Sequence, residues 1–285
     1  MSDARRDAAR GAAWERLAEV RSLDVAEGPE GSIAAFDRLA GEFAGDPDPY
    51  LRSVAADALI GKAWALEEGD RLDEAMAAFD DARRLAGSET DPDLRNSRAF
   101  AEYGLGWVLN RAGNFEDAAV LLADLFNGFV DEPPLAGIQP IVDAELLLGG
   151  LALHFGHPDK AIETYEDVVE RFGDVAENRV QSAVLRALIS KAGILARLED
   201  RNAEAILVCD EVLARAGRWP ESAELAAERA IALTDKGRWL RSAGRADEAA
   251  AVYRRAVEEF DDADDPEIDQ RLTFAREELS ELDAS

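Results

Sequence analysis

Six stretches of the chain repeat one pattern at nearly constant spacing, and few folds accommodate that. Small residues at Ser32, Ala75, Ala118, Ala161, Ala205 and Ala249 stand at intervals of 43, 43, 43, 44 and 44 residues. Four positions after each comes Phe36, Phe79, Leu122, Tyr165, Cys209 or Tyr253, and three further on Leu39, Ala82, Leu125, Val168, Val212 or Ala256. Steps of three and four put such residues on one face of a helix. Twelve positions before the small residue, Gly106, Gly149, Gly193 and Gly237 recur, with Gly61 two places off the same register. A glycine inside a helix costs roughly 1 kcal/mol against alanine, so its return at a fixed slot points to helices in close contact.

The clearest copy is the stretch from Glu102 to Leu125. Ala101, Leu105, Val108 and Ala112 form one apolar stripe, Gly113-Asn114 breaks it, and Phe115, Ala118, Leu122 and Leu125 form a second. Two helices joined by a tight turn follow. Such a hairpin keeps apolar surface exposed until another stacks on it, which is why such units come in arrays.

These residues resemble the tetratricopeptide repeat family. The third copy carries the match at Leu105-Gly106, Gly113-Asn114-Phe115-Glu116-Asp117-Ala118, Leu122 and Leu125. The last copy carries it at Gly237, Leu240, Gly244, Asp247-Glu248-Ala249, Tyr253 and Ala256. The resemblance spans roughly residues 10 to 260. It implies an all-α fold: a right-handed α-solenoid of about six antiparallel helix hairpins, first helices lining a concave groove, in a single domain over residues 1–285. Units fall near 7–45, 50–87, 95–130, 140–173, 178–216 and 221–260, with a capping helix at 265–283. The usual period is about 34 residues, so longer helices or longer connections are expected. Glu102 replaces the bulky aromatic usual four positions before the glycine slot. In the first helix, residues 7 to 27, Trp14, Leu17 and Val20 are expected to point inward.

Charge and missing motifs exclude several roles. There are 60 acidic against 32 basic residues, a net charge of −28. That surface repels phosphate backbones and anionic headgroups, so neither nucleic acid nor membrane is an expected partner. The longest apolar run, Leu146 to Leu153, is too short to span a bilayer, and the first residues lack an apolar signal core, so the chain is expected to be cytoplasmic. Cys209 occupies an apolar slot and reads as packing. His154 and His157 have no second carboxylate or cysteine cluster near them in sequence, so no metal or other cofactor is expected. Phosphate loops, nucleophile elbows and Cys-His arrangements are also missing, and no enzyme is expected. The acidic run from Asp261 lacks the glycine and glutamate of a calcium loop; Asp265 reads instead as a helix cap with Pro266 in the first turn.

The family's packing implies that positions one and four beyond the glycine slot face the groove. In this chain they select Trp107 and Asn110, Gly150 and Leu153, Ile194 and Arg197, Arg238 and Arg241. Tyr103 and Arg111 lie beside them. The partner-binding set is thus Tyr103, Trp107, Asn110, Arg111, Arg197, Arg238 and Arg241. Two readings of its arginines stay open: they pair with local carboxylates, or they hold an anionic or extended peptide. The connection 126–142 is apolar, with Phe126, Phe129, Leu135 and Ile138. It packs back over the helices or forms a patch for a partner or for self-association. The resemblance implies a non-catalytic scaffold or adaptor that holds a protein or peptide segment. A peptide- or small-ligand sensor and a structural homo-oligomer are the alternatives.

Overall fold

The structure, a computed structural model, describes residues 3–27, 29–87, 90–129, 138–219, 222 and 225–283. Among these the regular elements are helices: α1 (Asp3–Glu27), α2 (Pro29–Phe43), α3 (Pro49–Glu68), α4 (Leu72–Ala86), α5 (Pro92–Arg111), α6 (Phe115–Phe129), α7 (Gln139–His154), α8 (Pro158–Phe172), α9 (Asn178–Leu195), α10 (Asn202–Ala216), α11 (Ala226–Ser242), α12 (Ala246–Phe260) and α13 (Pro266–Asp283). They form hairpins from α1–α2 to α11–α12, with α13 last. The chain divides into two compact units, Met1–Leu148 and Gly149–Ser285, with the boundary inside α7.

Local sequence sets the helix ends. Asp48, Asp91 and Asp265 each precede a proline that opens a helix. Each carboxylate accepts backbone N–H bonds from the first turn, for instance Asp265 Oδ1 from Glu267 N at 2.8 Å. Proline has no N–H to lose there, and the aspartate satisfies groups the helix leaves unpaired. The turn inside a hairpin is equally regular. Five residues before the small anchor, the backbone turns left-handed at Asp70, Gly113, Gly156, Asp200 and Gly244, with φ of 58°, 82°, 80°, 61° and 75°. Glycine adopts this without steric cost and aspartate tolerates it, which accounts for the residue types at the slot.

The long period is filled by second helices of 15 residues, such as α4, α6 and α8, and by longer first helices, 20 residues in α3 and α5. In the first unit α3 touches both α1 and α5; in the second, α11 touches α9 and α13. The second helices α2, α4, α10 and α12 each pack against the first helices on either side of them. Among the described residues, successive second helices do not pack on one another to a comparable extent. Within each unit the first helices therefore form the inner layer.

The recurrent glycines are a packing device with two variants. A Cβ added at Gly106 would lie 2.6 Å from Leu122, at Gly149 2.5 Å from Tyr165 and at Gly237 2.5 Å from Tyr253, in each case the large residue of the same hairpin. Gly61 is no misplaced copy of that slot. Its Cβ would meet Phe36 at 2.5 Å, and that of Gly104 would meet Phe79 at 2.2 Å, rings supplied by the preceding hairpin. The aromatic at one repeat position thus leans back onto its own first helix in some repeats and forward onto the next in others.

Side-chain burial follows the stripes with some corrections. Leu17 is fully buried beside Ala13, Phe36, Leu39 and Val54, whereas Trp14 is 48% exposed. Ala13 and Leu17 are one turn apart, and Trp14 is a third of a turn off that line. In α5 the stripe runs through Ala101 and Val108, while Ala112 is exposed at the helix end. Glu102, in the place of the expected aromatic, is buried and accepts from Arg98 Nε at 2.8 Å. The stretch expected as a connection from 126 begins inside α6, where Phe126 and Phe129 form the last turn. Phe129 is buried under Arg95, whose guanidinium sits 5.5 Å from the ring centre, and Phe126 is half-buried, as is Ile138 just before α7. Leu135 lies outside the described residues.

Candidate functional site

The expected binding residues fall into separate clusters, and carboxylates hold most of them. In the first unit, Glu67 at the end of α3 is the centre. Trp107 Nε1 donates to Glu67 Oε1 at 3.0 Å, and Arg111 donates to the same carboxylate and to Glu67 O at 3.2 Å. A second Arg111 nitrogen reaches Asp70 at 3.1 Å. Tyr103 lies on the same helix, its ring 6.4 Å from that of Trp64, and Asn110 is half-buried one turn beyond Trp107. Tyr103, Trp107, Asn110 and Arg111 thus share one helix, with Trp107 and Arg111 bound to Glu67 of the preceding repeat. The carboxylates beside Arg111 raise its already high pKa, so it stays charged.

In the second unit the arginines are divided. Arg238 bonds Asp235 one turn back, and Asp235 also faces Arg271 at 3.5 Å. Arg241 is clamped by Glu278 and by Glu281, the latter at 2.8 Å, both on α13. Arg197, expected on a first helix, is exposed in the turn two residues past the end of α9. Arg111, Arg238 and Arg241 therefore have carboxylate partners within the chain, which is the arrangement the sequence left open as local pairing.

A feature that the sequence did not single out is the pair of partly buried acid–serine contacts between neighbouring first helices. Ser97 of α5 donates to Asp57 of α3 at 2.7 Å, and Ser182 of α9 donates to Glu228 of α11 at 2.5 Å. The second carboxylate oxygen of Glu228 is buried without a hydrogen-bond partner. Burial pushes the Glu228 carboxyl up, against the weaker pull of the Ser182 hydrogen bond. A carboxylate raised in the folded state binds more protons there than when unfolded, so stability falls as pH rises from the unfolded value, about 4.3, towards the folded one. Glu228→Gln keeps an acceptor for Ser182 and removes the charge. It is expected to stabilise the chain at pH 7 by about 1 kcal/mol, the scale of one poorly satisfied buried polar group, with the gain vanishing near pH 4. Urea unfolding at the two pH values measures this; an equal effect at both would rule out the charge as its origin.

The outward side of the inner layer in the first unit also carries Tyr50 and Asp93, which the sequence reading left aside, and Trp14, which it assigned to the core. The available signal was Trp14 standing one residue off the Ala13–Leu17 line, where a core tryptophan does not belong. Among the described residues no group of three or more His, Cys, Asp or Glu is placed to hold a metal ion, and no helix is long and apolar enough to cross a membrane.

Residues 17–90 match the family model described as tetratricopeptide repeat. No curated protein matches the sequence. Among solved structures, the fold is similar to BtubC (BKLC) from P. vanneervenii, with a TM-score of 0.64 at 15% identity over 90% of this chain and 93% of that one. It is similar to the Rap conjugation gene regulator of plasmid pLS20, solved with the Phr* peptide, with a TM-score of 0.53 at 12% identity over 93% of this chain and 73% of that one. A Podosopora anserina putative kinesin light chain with TPR-like repeats has a TM-score of 0.53 at 14% identity, over 80% of this chain and 97% of that one.

Proposed function

We propose that this chain, whose residues 17–90 match the tetratricopeptide-repeat model and whose fold is similar to that of proteins with such repeats, is a non-catalytic scaffold that holds a protein or peptide segment against the first helices of its hairpins. The observation that carries the reading is the layering. Within each unit the first helices of successive hairpins touch, while the second helices lie behind them. The outward edges of a touching row of helices make a continuous surface on which an extended segment meets several repeats at once. In the first unit that surface presents aromatic and polar groups, Trp14, Tyr50, Tyr103 and Trp107 among them. A second reading, a sensor of short peptides, draws on the Rap regulator, a protein of similar fold solved with a peptide bound.

Capture of partners from native lysate tests the proposal with two variants, Tyr103→Ala with Trp107→Ala, and Arg197→Glu with Arg238→Glu, each checked for unchanged helicity. At least one pair is expected to lose a partner that the wild-type chain retains, a weakening of about tenfold or 1.4 kcal/mol. Equal capture by all three would exclude the first-helix surface. A sensor would in addition become more compact in scattering when its peptide is added.

A further inference from the structure

Between α1, α3 and α5, on the outward side of the first unit's inner layer, lies a pocket of about 290 Å³. Trp14, Tyr50, Asp57, Asp93, Asn96 and Ser97 are among the residues that line it. Its polar groups are chiefly acceptors. Asp57 Oδ1 takes the Ser97 hydroxyl at 2.7 Å, which ties α5 to α3. Its other oxygen faces Arg21 at 3.8 Å, beyond hydrogen-bonding distance, and the Arg21 side chain is 47% exposed. Asp93 adds a second carboxylate, and Asn96 Oδ1 is buried without a hydrogen-bond partner. The helix tie accounts for Ser97 and half of Asp57; it does not account for Asp93, for Asn96 Oδ1 or for the two aromatic walls.

Electrostatics favour one kind of occupant. Burial raises the pKa of Asp57 against the pull of the Ser97 hydrogen bond and the Arg21 charge, and Asp93 adds a smaller upward push; burial likewise raises Asp93, followed by repulsion from Asp91 and opposed by Arg10. Two carboxylates lining one pocket, Asp57 half-buried and Asp93 exposed, are relieved by a cation and made worse by an anion. The chain already places guanidinium groups on these walls. Arg21 sits over the Trp14 ring at 5.7 Å, and Arg10, held by Asp48, sits over Tyr50 at 5.2 Å. The net charge of −28 draws cations towards the whole molecule.

We propose that this pocket binds an ammonium or guanidinium group, presented by a lysine or arginine of a segment held on the first unit, with Asp57 and Asp93 supplying charge and Trp14 and Tyr50 supplying ring faces. The proposal rests on the scaffold reading and reverses the sign of partner that the arginines of the sequence suggested. A free polyamine offers the same chemistry from another source.

The test follows the Trp14 indole and Asn96 side-chain amide signals by NMR in the full chain. Three probes are added: a short blocked Gly/Ser peptide with one central arginine, the same peptide with citrulline, and spermidine. The arginine peptide is expected to give saturable shifts at both signals, weakened by added salt. Citrulline in place of arginine, or Asp57→Asn with Asp93→Asn in the chain, is expected to weaken binding about tenfold or more. Asparagine at 57 retains an acceptor for Ser97; if that variant misfolds, Asp93→Asn alone, at an exposed position, decides. Spermidine displacing the peptide at far lower concentration would assign the pocket to a free amine. Equal binding of the citrulline peptide, or undiminished binding by the variants, would overturn the proposal. If the arginine peptide gives no shift while the capture experiment returns a first-helix-dependent partner, the pocket assignment alone is lost.

Discussion

Replacing Gly104 with alanine is expected to destabilise the chain by about 1–3 kcal/mol, the scale of an overpacked core, although alanine is the better helix former. The reason is the Phe79 ring, fully buried and 2.2 Å from where the new Cβ would stand. A ring packed edge-on against Trp64 at 5.0 Å has no free space to swing into. Gly193 is the internal control. It occupies a recurrent glycine slot in α9, yet a Cβ there meets nothing within 4 Å. The residue sixteen positions on is Cys209, where the other hairpins with this slot have leucine or tyrosine. Gly193→Ala is therefore expected to be neutral or to stabilise by up to about 1 kcal/mol through helix propensity. Phe79→Ala alone should cost about 3–5 kcal/mol. Combined with Gly104→Ala it should cost less than the sum, because the new methyl enters space the ring has left. Urea unfolding of the four variants measures these terms. Equal effects at positions 104 and 193 would remove the steric account of the glycines.

The architecture was legible because it is written in spacing. The small anchors, the large residues four places on and the apolar stripes all derive from helix periodicity and from the need of each hairpin to cover its neighbour, and both leave a regular trace. The left-handed turn is legible too once Asp70 and Asp200 are aligned with Gly113, Gly156 and Gly244. Direction was not legible. Nothing in the sequence around Gly61 or Gly104 says that the ring filling the gap comes from the preceding hairpin; that depends on how consecutive hairpins lean. Nor does a stripe fix its own edge, and Trp14, one residue from Leu17's line, was assigned to the core although it faces outward.

The binding residues were the least legible, for a physical reason. The family's register selects positions on an outer face and says nothing about which opposite charges stand on the next helix. With acids outnumbering bases almost two to one, an arginine on such a face readily meets a carboxylate of its own chain, as Arg111 does on Glu67 and Arg238 on Asp235. The acids in excess are then the groups left to recognise something else, which is why the pocket beside Trp14 points to a cation.

Arg241 shows what the pairing does for the fold, and it leads to the largest effect expected here. Its guanidinium is held by Glu278 and Glu281, fastening α13 across the end of α11. Beneath that clamp Ile268, Leu272 and Ala275 are buried, the first two against Leu233, Ala256 and Phe260, and the Phe274 ring meets Tyr253 edge-on at 6.1 Å. A chain ending before Pro266 loses these contacts. Burial of Ile268 and Leu272 alone corresponds to about 3–6 kcal/mol at roughly 1.5–3 kcal/mol per side chain, and the apolar flank of the last hairpin becomes a surface for association. The truncated chain is expected to unfold at lower urea concentration, to bind a hydrophobic dye and to self-associate on size exclusion. Arg241→Glu in the intact chain removes the clamp while leaving the apolar contacts, and should cost far less, since the partly exposed guanidinium is screened by water. A truncated chain as stable and as monomeric as the intact one would refute the capping role. An Arg241→Glu variant as damaged as the truncation would mean that the ion pairs, rather than Ile268 and Leu272, hold the last helix in place.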